Sequence, residues 1–172
     1  MPLPGCKLSY YIEPPTAYIR VVGRAAVEGA RDFGGLVERL QGEGISRFCI
    51  DLSGCLLMDS TFSGVLAGLA TRFGALGGEG CSRFVLVRPN KRIQDLLDSL
   101  GVLPLVDVLD STAPAGLAEA KELTATPRTK REVAECCLEA HQFLMALRPE
   151  NETKFRELTQ VLEKQLQTRP TP

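Results

Sequence analysis

Three consecutive polar residues, Asp59, Ser60 and Thr61, lie where an apolar run of the strand type gives way to a segment with helical periodicity. A helix N-terminus leaves backbone N–H groups unpaired and carries partial positive charge, so an Asp or Ser there can cap the helix for ~1 kcal/mol. Capping accounts for one such residue, but it does not require the further hydroxyls of Thr61 and Ser63. The pattern therefore leaves two interpretations of Ser60: a structural cap, or a hydroxyl that acts as a switch.

Two other chemistries fit these residues poorly. A catalytic serine needs a base and an oxyanion hole, but Ser60 is not in a Gly-x-Ser-x-Gly elbow and the sole histidine, His141, belongs to the C-terminal segment. Cys137 and His141 have a four-residue spacing that suits metal binding, yet no Cys-x-x-Cys pair completes a zinc site. We therefore predict that the protein is not an enzyme, that it needs no metal or cofactor, and that His141 is a surface residue.

The composition is that of an ordinary globular protein. The chain has 172 residues, 44% of them hydrophobic, which allows one substantial core with an appendage. Its 20 basic and 21 acidic residues give a net charge of -1, so electrostatics provides no reason to expect nucleic acid or an anionic membrane as the main partner. No apolar run approaches the roughly 20 residues that span a bilayer, and the cysteines show no disulfide framework. We therefore expect a cytoplasmic protein with reduced thiols.

Alternating strand-like and helix-like segments predict the fold class. Short apolar runs without alternation are typical of strands covered on both faces in a largely parallel sheet, and apolar residues at steps of three and four indicate helices. The predicted strands are residues 7–12, 17–22, 48–52, 84–87 and 106–109, and the predicted helices carry the apolar stripes within 27–40, 62–73 and 93–100. The order β-β-α-β-α-β-α-β predicts an α/β domain with a mixed, largely parallel sheet that ends near residue 110.

Residues 51–66, which read Asp-Leu-Ser-Gly-Cys-Leu-Leu-Met-Asp-Ser-Thr-Phe-Ser-Gly-Val-Leu, resemble the signature of the STAS domain, the fold of bacterial anti-sigma factor antagonists. The resemblance covers roughly residues 7–110 and is strongest around this motif. In that family the serine after the aspartate is reversibly phosphorylated, so the resemblance implies phosphorylation at Ser60, with Thr61 as the fallback acceptor. Phe62 stands where many relatives have glycine, a departure that affects partner docking and leaves the acceptor intact.

The predicted partner-binding residues lie mainly at the carboxyl ends of strands, where open α/β sheets place their sites. A strip of small residues on the helix after Ser60 can admit the close approach of another surface, or it can pack on the protein's own sheet. Basic residues at the start of the next helix can contact an acidic partner or phosphoserine 60, or they can simply lie in solvent. The predicted set is Arg24, Asp59, Ser60, Thr61, Ser63, Gly64, Ala67, Gly68, Arg88, Lys91 and Arg92.

Proline and glycine mark a boundary after the last predicted strand. The segment contains Pro114, Gly116 and Pro127 among small and charged residues, which is typical of a linker, and a short helix is one interpretation of 117–123. The predicted organisation is a STAS-like domain over 1–110, a linker over 111–128 and a C-terminal α-helical hairpin over 129–168.

The predicted hairpin begins with a capping box, Thr129-Lys130-Arg131-Glu132, and Pro149 separates its two helices. Helices of this length are marginal in isolation, so their apolar seam must be buried. We expect the seam to pack on the STAS-like domain or on a second copy of the chain, which would make a homodimer. Leu144 and Leu158 are expected at its centre, among Val133, Cys137, Ala140, Leu147, Phe155, Leu162 and Leu166.

Two classes of function remain. The resemblance implies an anti-sigma factor antagonist that binds an anti-sigma serine kinase of the histidine-kinase-like ATPase family and is switched off by phosphorylation of Ser60. The alternative is a scaffold, in which the STAS-like domain builds a larger signalling assembly and the hairpin supplies the oligomer contacts. A monomer or simple dimer in solution favours the switch, whereas a large defined particle favours the scaffold.

Overall fold

The computed structural model describes residues 4–74, 83–112 and 115–168. Within these ranges the chain forms seven strands and five α-helices, with short 3-10 helices at Leu103–Leu105 and Ala115–Glu119. The strands are β1 (Lys7–Glu13), β2 (Thr16–Ala25), β3 (Arg47–Asp51), β4 (Cys55–Met58), β5 (Phe84–Val87), β6 (Asp107–Leu109) and β7 (Lys121–Leu123). The helices are α1 (Val27–Gly42), α2 (Ser60–Gly74), α3 (Lys91–Ser99), α4 (Lys130–Leu147) and α5 (Pro149–Gln167).

The strands form one mixed sheet in the order β6-β5-β3-β2-β1-β7, with β4 paired to β2 outside this path. The pairs β2–β3, β2–β4, β3–β5 and β5–β6 are parallel, while β1 is antiparallel to both β2 and β7. This is the largely parallel α/β arrangement that the sequence predicts. It brings the carboxyl ends of β4 and β5 to the points where the next helices begin.

The core lies between the sheet and its helices. Phe48 of β3 and Phe84 of β5 are register partners, and their rings stack with centroids 5.2 Å apart. Phe62, the residue that departs from the family motif, is fully buried and packs against Phe33 of α1 at a centroid distance of 5.0 Å. The bulky residue at this position therefore serves the core contact between α1 and α2.

Two strands lie where the sequence predicts loop and linker. β4 lies at Cys55–Met58, between the predicted strand at 48–52 and the predicted helix within 62–73, and its pairing with β2 includes an irregularity between Gly23 and Arg24. β7 lies in the predicted linker, so the interpretation of 117–123 as a short helix holds only for 117–119, which belong to the 3-10 helix Ala115–Glu119. β7 is three residues long and mostly polar, a pattern too short for periodicity to identify, and its pairing with β1 extends the sheet past residue 110.

The C-terminal hairpin packs on the α/β domain in this structure, with α4 against α2 and α1, and α5 against α4. Thr129 and Glu132 form the predicted capping box. Asn151 ties the start of α5 to the rest of the molecule, because its buried side-chain amide donates to the carbonyls of Leu100 and Leu144 at 2.9 and 2.8 Å. None of the helices in the described ranges is both long and apolar enough to cross a membrane.

The buried face of the hairpin differs from the predicted leucine seam. Leu144 is fully buried as expected, but Leu158 is 39% exposed, so it is not at the centre of the contact within one chain, and its place in a contact with a second copy stays a prediction. On α5 the buried positions include Asn151, Thr159 and Leu162. Two polar residues occupy this face, and a search for apolar periodicity therefore selects a neighbouring face.

Candidate functional site

Helix α2 begins where β4 ends, and Asp59 is the residue that starts it. The Asp59 carboxylate accepts a hydrogen bond from the Phe62 N–H at 2.8 Å, which is the geometry of an N-cap. The Asp59 carbonyl accepts from the Ser63 N–H at 3.1 Å and from the Ser63 hydroxyl at 2.8 Å. Because Asp59 supplies the cap, the hydroxyl of Ser60 remains available for another contact.

That contact is with His141, from the C-terminal hairpin. Ser60 Oγ lies 2.7 Å from His141 Nε2, and His141 Nδ1 lies 2.6 Å from the backbone carbonyl oxygen of Cys137. A carbonyl oxygen can only accept, so Nδ1 must carry a proton, and in the neutral ring Nε2 accepts from the Ser60 hydroxyl. The imidazole is 1% exposed and meets the ring of Phe155 edge-on at 4.7 Å. Ser60 therefore faces a buried histidine of fixed orientation.

Burial and hydrogen bonding shift the pKa values of three side chains in this cluster. Burial raises the pKa of Asp59 above its usual range, and hydrogen bonds from the Phe62 and Val27 N–H groups oppose that shift only in part. Burial alone would favour neutral His141, but the hydrogen bonds to Cys137 raise the imidazole pKa overall. The hydrogen bond with His141 lowers the pKa of the Cys137 thiol. The surroundings of His141 thus favour its protonation.

The prediction that His141 is a surface residue is wrong. The Cys137–His141 spacing did contain a signal, because residues four apart lie on one helix face, and Ala140 and Leu144 place an apolar stripe beside them. The sequence does not show that this face meets Ser60, which is 81 positions earlier in the chain.

Thr61, the fallback acceptor, also contacts the hairpin. Its hydroxyl lies 3.6 Å from the Cys137 sulfur, and that sulfur lies 3.5 Å from His141 Nδ1. Thr61 is buried whereas Ser60 is partly exposed. Of the two hydroxyls, Ser60 is therefore the more accessible acceptor.

The small-residue strip on α2 is not a free surface in this structure. A Cβ added to Gly64 would lie 2.5 Å from the Ala140 carbonyl oxygen and 2.8 Å from the Ala140 Cβ, so α4 approaches α2 as closely as a glycine permits. Gly68 faces the ring of Phe143, and Ala67 is fully buried. The expected alternatives were an external partner or the protein's own sheet, but the element that covers Gly64 is the C-terminal hairpin.

The contact of the hairpin with the start of α2 is incomplete. A cavity of about 400 Å³ opens beside Asp59, Thr61 and Cys137, with Val133 and Lys130 of α4 also in its wall. This cavity is open to solvent, so the close approach of α4 to α2 at Gly64 does not extend over every side chain at the start of α2.

Two of the predicted basic residues form ion pairs, and neither pair involves Ser60 or His141. Arg88, which has a positive φ of 52°, pairs with Asp110 at 3.6 Å, and Lys91 forms an ion pair with Asp95 one helical turn later. Arg24 and Arg92 are exposed. A role for these four residues in partner binding stays a prediction.

Asp51, the first residue of the motif, has a structural contact. Asp51 is buried. Its carboxylate accepts hydrogen bonds from the Arg20 side chain at 3.1 Å and from the Ser53 N–H at 3.0 Å. Burial alone would raise its pKa, but these hydrogen bonds lower the Asp51 pKa overall. The Asp-Leu-Ser portion of the motif thus joins β3 to β2 and shapes the turn that leads to β4. Among the described residues, no group of three His, Cys, Asp or Glu side chains is arranged to hold a metal ion.

No protein-family model matches the sequence, and no curated protein sequence matches it. The anti-sigma factor antagonist SpoIIAA in its unphosphorylated form has a similar structure, with a TM-score of 0.52 and 15% identity over 62% of this chain and 90% of SpoIIAA. The NMR structure of the protein TM1081 is similar at a TM-score of 0.51, with 21% identity over 59% of this chain and 79% of TM1081. The protein therefore has a STAS-like fold, as the motif at 51–66 predicts.

Proposed function

We propose that this protein is a regulatory protein-binding module of the anti-sigma factor antagonist type, switched off by phosphorylation of Ser60. The observation that carries the proposal is the place of Ser60 as the first residue of α2, directly after the capping Asp59. The fold in which this occurs is similar to that of an antagonist whose structure is described as its unphosphorylated form. The proposed partner is an anti-sigma serine kinase of the histidine-kinase-like ATPase family, which would place the protein in the cytoplasm.

The charge on the modified serine supports such a switch. A phosphate adds about -1.5 to -2 charge at pH 7, next to the carboxylate of Asp59. The fold can tolerate this group, because Ser60 is partly exposed and stands at a helix N-terminus, where the dipole favours an anion. A partner surface that is acidic or apolar at this spot would lose binding free energy through repulsion and desolvation.

The test compares Ser60→Ala with Ser60→Asp. Both variants remove the hydroxyl that bonds His141, and they differ in that Ser60→Asp places a charged carboxylate there whereas Ser60→Ala places none. We expect Ser60→Ala to retain the native-cell kinase in affinity capture and Ser60→Asp to lose it. Thr61→Ala serves as the control for the second acceptor. Equal binding of the kinase by both Ser60 variants would overturn the charge mechanism.

Phosphopeptide mapping of the protein from its native host gives an independent check. We expect phosphate on Ser60, with Thr61 as the fallback acceptor. Modification elsewhere, with Ser60 unmodified under every growth condition, would remove the proposal's main support.

A second candidate function, the oligomerising scaffold, is favoured by one observation. Leu158 and Val161 on α5 are 39% and 61% exposed, and they are one turn apart on the same helix. A second copy of the chain could bury them and form the predicted homodimer. The mass in solution of the wild type and of Leu158→Ser/Val161→Ser decides this: a large particle that the double variant dissolves supports the scaffold, and a concentration-independent monomer rejects it.

A further inference from the structure

The contact between Ser60 and the hairpin has a direct consequence for a phosphorylated form. Ser60 belongs to the STAS-like domain, whereas His141 belongs to α4, and the two atoms in contact are 2.7 Å apart. A group attached to Ser60 Oγ therefore meets the imidazole before it meets any external partner on that side. The imidazole cannot turn away, because Nδ1 is held by the Cys137 carbonyl and the ring is packed against Phe155.

We propose that His141 is the receiving group for a phosphate on Ser60, so that phosphorylation fastens the C-terminal hairpin onto α2. This inference rests on the proposed function at Ser60 and adds the means by which the modification acts. In the unmodified chain the hairpin can leave α2 and give its place to a partner. In the phosphorylated chain the hairpin stays, and the small-residue strip at Gly64 and Gly68 remains covered.

A neutral His141 must gain a proton to bond a phosphate on Ser60. In phosphoryl transfer from ATP, the γ-phosphorus forms a bond to Ser60 Oγ while its bond to ADP breaks, and the hydroxyl proton leaves to the kinase. Nε2 then faces phosphate oxygens, which are acceptors, and has lost its donor. Uptake of a proton from solvent at Nε2 turns the imidazole into a donor to both the phosphate and the Cys137 carbonyl.

The groups around His141 favour this protonation. Asp59, at the start of α2, carries a negative charge when ionised, and the Cys137 thiol lies on the same helix as His141; Phe155 of α5 carries no charge. A charge-assisted hydrogen bond is roughly twice as strong as a neutral one. The exchange of a neutral Ser60–His141 bond for a phosphate–imidazolium pair therefore strengthens the attachment of the hairpin to α2.

The experiment uses the full chain with phosphoserine incorporated genetically at position 60, so no cellular kinase is involved. Amide hydrogen exchange in α4 is measured by mass spectrometry. Exchange in β3, measured in the same samples, reports global unfolding. Because the hairpin helices are marginal once detached, exchange in α4 reports hairpin release. We expect exchange in α4 to slow by about tenfold or more, with exchange in β3 unchanged. Exchange in α4 that is equal or faster in the phosphorylated chain overturns the inference.

The matched controls separate the His141 contact from added charge alone. Phosphoserine at Ser53, an exposed residue in the turn between β3 and β4, should leave α4 exchange unchanged. His141→Gln with phosphoserine 60 should lose the slowing. If this variant does not fold, ³¹P NMR of the wild-type chain decides: the second phosphate pKa should lie below that of phosphoserine in an unfolded peptide, and an unshifted value rejects the imidazolium contact.

The outcomes also separate this inference from the proposed function. If native cells never phosphorylate Ser60, the proposed function fails, while the exchange and NMR results still report whether His141 receives a phosphate. If phosphorylation abolishes kinase binding but α4 exchange does not slow, the proposed function stands and the hairpin mechanism is wrong.

Discussion

Helices α2 and α3 begin in the same way and lie in different surroundings. Each starts near the carboxyl end of a strand, and in each the residue before the helix accepts a hydrogen bond from the third helical N–H: Asp59 from Phe62 at 2.8 Å, and Asn90 from Ile93 at 3.0 Å. The first turn of α2 is covered by the hairpin, whereas Lys91 and Arg92 at the start of α3 are exposed. A cap defines where a helix starts, but it does not define what the first turn can bind.

The two helix starts also differ in the charge they offer to a phosphate on Ser60. The sequence predicts that the basic residues at the start of α3 contact this phosphate or an acidic partner, or lie in solvent, and in the structure Lys91 is paired with Asp95 of the same helix. The group in contact with Ser60 is instead a single buried imidazole from another unit of the chain. An exposed lysine stays charged and hydrated whether or not a phosphate is present, whereas a buried imidazole changes its protonation state in response to a phosphate.

The largest expected effect comes from a disulfide bond between the first turn of α2 and helix α4, which covers it. Thr61 Oγ1 lies 3.6 Å from the Cys137 sulfur, so Thr61→Cys brings two sulfurs near bonding distance after small rotations. Oxidation should fasten the hairpin to α2 and abolish kinase binding as completely as phosphorylation, and a reductant should restore it. The measurement is affinity capture of the kinase under oxidising and reducing conditions.

Thr61→Cys/Cys137→Ala is the matched control for this link, because it keeps the new thiol and removes its partner. Its binding should not depend on the redox state. Full kinase binding by the verified disulfide form would show that the hairpin need not leave α2.

Substitutions of Gly64 and Gly68 test the opposite change, in which the contact of α4 with α2 is weakened instead of strengthened. Gly64→Ala forces the Ala140 backbone away from α2, and overpacking of this kind costs about 1–3 kcal/mol. Gly68→Ala meets only the Phe143 ring at 3.9 Å, so it should gain helix propensity of about 0.8–1 kcal/mol without a clash. Hydrogen exchange in α4 should therefore rise in the first variant and not in the second. Equal hydrogen exchange of the α4 amides in the two variants would mean that α4 does not pack closely against Gly64.

A smaller effect concerns pH, because Asp59 titrates and Asn90 does not. Burial raises the pKa of Asp59 in the folded state, so the native protein binds more protons than the unfolded chain just above the ordinary value of 3.8. Stability from this group is therefore present at lower pH and lost as the pH rises through the raised pKa. The difference in thermal midpoint between wild type and Asp59→Asn should show this slope. A difference that grows in favour of the wild type with rising pH would contradict it.

The smallest effect is expected at the exposed start of α3. Lys91→Gln/Arg92→Gln should leave the thermal midpoint and the ³¹P titration of phosphoserine 60 unchanged, because the contacts of Lys91 are local and solvent-exposed. The double variant should reduce only the salt-dependent association rate with an acidic partner. A raised pKa of phosphoserine 60 in this variant would show that Lys91 or Arg92 contacts the phosphate.

Local patterns made much of this molecule predictable. The apolar run at 48–52 overlaps β3 with a shift of one residue, the run at 84–87 coincides with β5, and the Thr129–Glu132 capping box forms at the start of α4. The motif at 51–66 located the start of α2 and the STAS-like fold. β4 and β7 were missed because strands of four and three residues are stabilised by pairing with β2 and β1, which no local pattern reveals.

The sequence by itself determined where α2, α3 and α4 begin, because a capping side chain acts on N–H groups only three residues away, as Asp59, Asn90 and Thr129 do. It also determined that a hydroxyl follows the cap of α2. Only the tertiary structure decided what that hydroxyl meets. The packing of α4 on α2, made close by Gly64 and Ala140, carries His141 to Ser60 from 81 positions away, and a buried contact of that kind depends on how two helix faces fit.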